Sequence, residues 1–357
     1  MKTGYWIPLM QRSTLCGGIL LGGAMGAHLE GQDADRHTII ALNHPEHMVY
    51  EVDGRTGEVL NRFETEEQPH EAAITRDGRT LFISVPLEGE SGAYVVILDG
   101  ETFTERSRIV SEHFRRRDPV VRGGMGPQLT TLPHGVALSN DETKLYIGVE
   151  WAEVPGVVVY DIRRGVVTGK IDLLLEGGHY LRAHPTMNKL YYPHRSDDRV
   201  VVIDTESDKV TSIIPVQGGP LGVAFAPNGD VWIHSDYDGS VTVIDPETDT
   251  VREVIPTGGE GAGRVAVSPD GRLAVSTRAG TQNVMLLDAN QRRVIADIPV
   301  GRGSGYPTFS PDGTRLYVTN SGDEHITVID TGTLEVISRH RVAQGFFGGG
   351  IRSLRGR

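Results

Sequence analysis

Cysteine is almost absent from this chain: Cys16 is the only one in 357 residues. No intramolecular disulfide can form, and no catalytic cysteine remains if the leading segment is removed. Basic charge is also scarce. Lys and Arg number 35 against 47 Asp and Glu, giving a formal net charge of −12 and a pI of about 5.5. A sequence-independent nucleic-acid binder needs a basic stripe to displace phosphate counterions. The one basic run, Arg115-Arg116-Arg117, is too short to supply it and reads as a solvated loop. Also missing are a Gly-x-Ser-x-Gly elbow and a Gly-rich phosphate loop entering a helix, which removes two large enzyme classes. Long apolar runs are lacking too. The stretch 14–27 is glycine-rich and too short to cross a bilayer comfortably.

That stretch has another reading. Lys2 and Arg12 precede it, and it ends in the small residues Ala24-Met25-Gly26-Ala27. A charged start, a short apolar region and small residues form a secretion signal. Leu15 stands before Cys16, where lipoprotein attachment would want a small residue. The expectation is a signal peptide at 1–27, a mature domain at 28–357 and a periplasmic or secreted location without a membrane span.

What is present is a repeat. Seven times a run of branched apolar residues ends in an aspartate and a polar turn, at Asp53, Asp99, Asp161, Asp204, Asp245, Asp288 and Asp330. From Asp161 onward the spacings are 43, 41, 43 and 42 residues. A period of about 40 to 45 residues filled with short strands is the pattern of a β-propeller. Residues 304–339 show one unit: a strand through Thr308 and Phe309, the turn Pro311-Asp312-Gly313, a strand at 315–320, a third at 326–329 and a fourth through Val336-Ile337-Ser338. The β-branched alternation and the Pro/Asp/Gly punctuation are strand and turn signals. One such blade cannot bury both faces, so neighbours must stack on each side. The predicted fold class is all-β, a seven-bladed propeller of four antiparallel strands per blade.

Tyr317-Val318-Thr319-Asn320, preceded by Ser310-Pro311-Asp312-Gly313, resembles the YVTN-repeat propellers, secreted or periplasmic relatives of amine-dehydrogenase and cytochrome-d1-type propellers. Ala226-Pro227-Asn228-Gly229 and Ser268-Pro269-Asp270-Gly271 extend the likeness over most of 37–340. The resemblance implies the fold and an exported location and leaves the activity open. Blade four is also similar to a blade of the propeller lactonases. His179, His184 and Pro185 match, Gly178 replaces an arginine, and His194 stands where an acid or amide is usual. That likeness implies Arg264 and His134 as residues that would bind and protonate an anionic lactone.

Blade one lacks an inner strand before His37, and the tail 345–353 is expected to provide it, closing the ring. Between blades two and three, Asp99 and Asp161 are 62 residues apart. The excess falls in 107–132, which carries His113, the arginine run and Gly123-Gly124-Met125-Gly126-Pro127. A loop of this length is a candidate lid.

The histidines are unevenly placed. Aligned on the turn before strand two, His70, His134 and His179 occupy one position at the entrance of the channel-lining strand in blades two, three and four. Leu221, Gly263 and Gly305 take that place in blades five, six and seven. Sevenfold packing would bring the three imidazoles toward a common point, suited to a three-histidine metal site with an open position. The loop after strand two, on the same face, offers His44, His47, Glu150, His194 and His234. The next inner-strand position holds Glu71, Tyr180, Arg264 and Tyr306. His184, His325 and His340 read as surface residues.

These residues predict an axial funnel binding one transition-metal ion (copper, iron or zinc) or a small ligand. His70, His134 and His179 would be the primary ligands, with His44, His194 and His234 next. In a metal-dependent enzyme Glu71 or Glu150 would be the base, beside Tyr180 and Arg264. The alternatives are a non-catalytic scaffold binding a protein on its rim and, third, a lactonase-like hydrolase.

Overall fold

The computed structural model describes residues 37–86, 92–114, 133–150, 154–175, 177–258, 261, 263–342 and 346–353, the last stretch as backbone. The expected leader and residues 115–132 of the expected lid lie outside them. Among the described residues, 28 strands form seven four-stranded antiparallel sheets, so the fold is a seven-bladed β-propeller. The tail closes it. Phe346–Ser353 pairs antiparallel with His37–Asn43 and becomes the inner strand of blade one.

The repeated aspartate ends the third strand of every blade. Its carboxylate accepts turn amides: Asp53 Oδ1 takes Arg55 N at 2.9 Å and Thr56 N at 2.7 Å, and Asp330 Oδ1 takes Gly332 N and Thr333 N at 3.0 and 2.8 Å. Four residues on, the chain turns left-handed at Gly57, Phe103, Gly165, Asp208, Asp249, Arg292 and Leu334, with φ between 51 and 76°. A bulge follows in each hairpin. Only two of the seven are glycine. The aspartate's hydrogen bonds offset the cost of a side chain at positive φ.

The core lies between the blades. Seven apolar clusters occur among the described residues, one at each blade–blade interface. Strand side chains alternate in direction, so Ile39 and Ala41 pack toward blade seven while Ile40 and Leu42 pack toward blade two. This explains why second and third strands read as continuous apolar runs, since both faces are covered. Polar clasps repeat as well. Tyr146 OH and Lys144 Nζ reach Asp208 of the next blade at 2.6 and 2.8 Å. Lys189 Nζ reaches Asp249 at 2.8 Å. Tyr317, the tyrosine of the Tyr-Val-Thr-Asn motif, meets His37 Nε2 at 2.6 Å between blades seven and one.

Two expectations are corrected. The outer strand of blade two runs Glu105–Ile109, so the excess begins after Ile109 and not at Ser107, with His113 in a short 3-10 turn, Glu112–Phe114. His184 is not a surface residue: it is 1% exposed. Its Nε2–H donates to Gly229 O at 3.0 Å and its Nδ1 accepts Met187 N at 3.1 Å. The ring fastens its own turn to the next blade. Among the described residues no helix is long and apolar enough to cross a membrane.

Candidate metal centre

The inner strands of blades two, three and four start with the same pairing. The N–H groups of His70, His134 and His179 donate to Ser84 O, Gly148 O and Pro193 O at 2.8, 2.8 and 3.2 Å, each acceptor being the penultimate residue of strand two. The next position is also equivalent around the ring. The N–H groups of Glu71, Arg264 and Tyr306 each donate to a strand-two hydroxyl, those of Ser84, Thr277 and Thr319, at 2.9 to 3.0 Å.

The imidazoles form an arc. Ring centroids lie 4.7 Å apart for His44 and His70, 3.9 Å for His70 and His134, and 3.8 Å for His134 and His179. His70 and His179 are 6.1 Å apart, so the rings make a ladder across four blades instead of meeting at one point. Glycine permits the close approach. A Cβ on Gly135 would lie 2.7 Å from His179 O, the carbonyl that binds His134. Blade six leaves no room for a side chain at the equivalent position: a Cβ at Gly263 would collide with Thr277 O and lie 2.9 Å from His234 Nε2.

Hydrogen bonds set the tautomers. A carbonyl only accepts, so His134 Nδ1 carries the proton it gives His179 O at 3.0 Å, leaving the Nε2 lone pair in the neutral ring. His179 Nδ1–H faces Glu150 Oε2 at 3.2 Å, which orients that ring the same way. Glu150 follows strand two of blade three directly and its side chain is 8% exposed, against 26% for His179. One donor atom each from His134, Glu150 and His179 lie within 4.8 Å of one another. Metal–ligand bonds of about 2.1 Å bring tetrahedral donors to roughly 3.4 Å, so side-chain rotation must close the remainder. His70, against His134, has a buried Nδ1 without a hydrogen-bond partner.

Electrostatics keep the arc neutral. Burial, then repulsion from His179, lowers His134 to about 3, with Glu150 opposing. Burial, then His47, lowers His44 to about 4. Burial holds His70 and His179 well below the usual imidazole range; the next cause is His134 for the former and Arg264 for the latter. Neutral imidazole is the metal-binding form.

The other predicted residues have different places. His194 and His234 lie in second strands, not in loops, and are 1% and 0% exposed. His194 packs edge-on against Tyr192 at 4.7 Å. His234 Nδ1 pairs with Ser276 Oγ at 3.0 Å, and burial followed by Arg264 lowers it to about 3. His47 is a half-buried turn residue at φ 55°. Glu71, Arg264 and Tyr306 interlock in the centre of the ring. Tyr306 OH donates to Glu71 Oε1 at 2.6 Å and accepts Arg264 Nη2 at 2.8 Å. The Arg264 guanidinium lies over Tyr306 and Tyr180 at 4.6 and 4.9 Å. Burial raises the Glu71 carboxyl despite Arg264.

Reading the sequence missed Arg182, Arg195, Asp236 and Arg278. Arg182 sits two residues after Tyr180 and bonds its hydroxyl. The others share one register, the residue just past strand two: His44, Glu150, Arg195, Asp236 and Arg278 in blades one, three, four, five and six. The same fixed offset from strand two marks that position in the sequence of each of these blades.

No family model matches the chain, and no curated protein matches it. Solved structures do. A functionally unknown protein from Desulfotomaculum acetoxidans superposes with a TM-score of 0.69 at 12% identity, over 88% of this chain and 98% of that one. Kuenenia stuttgartiensis hydrazine synthase gives 0.64 at 19% identity, over 88% and 100%. Dihydro-heme d1 dehydrogenase NirN in complex with DHE gives 0.60 at 14% identity, over 90% and 76%. At such identities the likeness is one of fold, and it places this chain among the seven-bladed β-propellers.

Proposed function

We propose that the protein binds one first-row transition-metal ion on the entry face of the propeller, through His134, Glu150 and His179. The reading rests on one observation: two neutral imidazoles and a buried carboxylate converge within 4.8 Å. Two nitrogens and one oxygen suit zinc, copper or iron, and three protein ligands leave a position open for a small molecule. A metal there would polarise a substrate oxygen or activate water. The chain's own part is to hold His134 by its Nδ1–H on His179 O, to bring the Glu150 carboxylate beside the His179 ring, and to exclude protons from the arc.

Metal analysis of untagged protein is expected to find one ion per chain, or uptake of one on titration with zinc or copper. His134→Ala and His179→Ala should each abolish it, and Glu150→Gln, which replaces an anionic ligand by a neutral amide, should weaken it roughly 10-fold or more. Protein that takes up none of the three metals sinks the reading and leaves the scaffold. The lactonase alternative needs Arg264 for its anion. Sugar-lactone hydrolysis abolished by Arg264→Gln would support it.

A further inference from the structure

The funnel is lined unevenly. Blades one to four supply the imidazole arc, while guanidinium groups come from blades four and six. Blade six contributes two: Arg264 from the inner strand and Arg278 from the position just past strand two, 8% and 7% exposed. Two carboxylates lie nearby: Glu71 is 3.7 Å from Arg264 Nη2 and bonded to Tyr306, and Asp236 is 2.6 Å from Arg195, but neither makes a hydrogen bond to the Nε–H of Arg264 or Arg278. Arg278 has no ion pair among the described residues. Both arginines keep a buried Nε–H without an acceptor, although Arg264 spends its Nη groups on Gly263 O and Tyr306 OH. Buried donors without acceptors are rare in native proteins and call for a partner.

We infer that the blade-six wall is an anion site, in which Arg264 and Arg278 receive the carboxylate of a small organic acid. The guanidinium presents parallel N–H bonds that match a planar carboxylate, and the buried Nε–H groups are the ones left without an acceptor. Gly263, beside Arg264, packs against His234: a Cβ on it would lie 2.9 Å from His234 Nε2. An anion held there therefore lies beside that imidazole. The inference names the ligand class of the proposed centre and rests on the metal reading only for where the ligand's far end goes.

The test is calorimetric titration of the full chain, stripped of metal by chelation, with oxalate and separately with inorganic phosphate. One saturable oxalate site is expected, weakened ~10-fold or more by Arg278→Gln and by Arg264→Gln. Arg278→Lys should restore part of the affinity, and Arg302→Gln, an exposed residue paired with Asp323, should change nothing. Arg264→Gln disturbs a buried network; should it fail to fold, Arg278→Gln carries the test alone. Preference for phosphate over oxalate overturns the carboxylate assignment. No saturable binding, or binding indifferent to Arg278, overturns the site. In metal-free protein His134→Ala should keep oxalate binding, so failure of the metal reading and failure of this one can be told apart.

Discussion

The imidazoles of His44, His134 and His234 are proton acceptors in the unfolded chain and poor ones in the native state. His134 and His234 are lowered to about 3 and His44 to about 4, with burial the leading cause in each. The sign follows from proton counts. Between pH 6.5 and the folded values the unfolded state binds more protons, so stability falls as pH drops through that window. At pH 5 a fully depressed histidine costs about 2 kcal/mol relative to neutral pH. Denaturant titrations of metal-free protein at pH 7 and 5 should show a steep loss, and His234→Asn should reduce that loss by about 2 kcal/mol. Equal pH dependence in the two proteins would show that His234 titrates normally when folded.

At the scale of the strand, register decides chemistry. The histidine triplet was legible because the turn before strand two marks a fixed offset, and the structure returns the same pairing in all three blades. Legibility ended where two strands from different blades must approach. Nothing in the spacing said that His134 would spend one nitrogen on the backbone of His179, or that Glu150 would come to that ring while Glu71 joined Arg264 and Tyr306. Gly135 is the hinge of that geometry. Gly135→Ala places a methyl 2.7 Å from His179 O and 2.5 Å from the Leu181 side chain, an overpacking worth about 1–3 kcal/mol. Denaturant unfolding should report that loss. Metal titration should show weaker uptake than in a variant equally destabilised at an outer strand.

For the whole molecule, closure is the main structural device, since no disulfide assists it. The tail strand pairs with His37–Asn43 along its length, and the last interface is completed by Tyr317, Ile326 and Val328 against Ile39 and Ala41. Ending the chain before Phe346 leaves His37–Asn43 as an unpaired edge, a template for association. The truncated protein is expected to unfold at lower temperature and to self-associate, by calorimetry and light scattering. A monomer of unchanged stability would mean that the ring does not depend on its closing strand.

Repeat length, turn chemistry and strand periodicity are local properties of the chain, so they alone determined the seven blades, the four strands in each and the closure by the tail. The aspartate turns recur because each satisfies its own hairpin. Which side chains share a site is not local. Glu71 and Tyr306 are 235 residues apart and bond between blades two and seven, and His184 is tied to a carbonyl of the next blade. Only the closed ring, which brings every inner strand to one axis, decided which imidazoles would gather in one arc and that Arg264 of blade six would meet Glu71 of blade two and Tyr306 of blade seven.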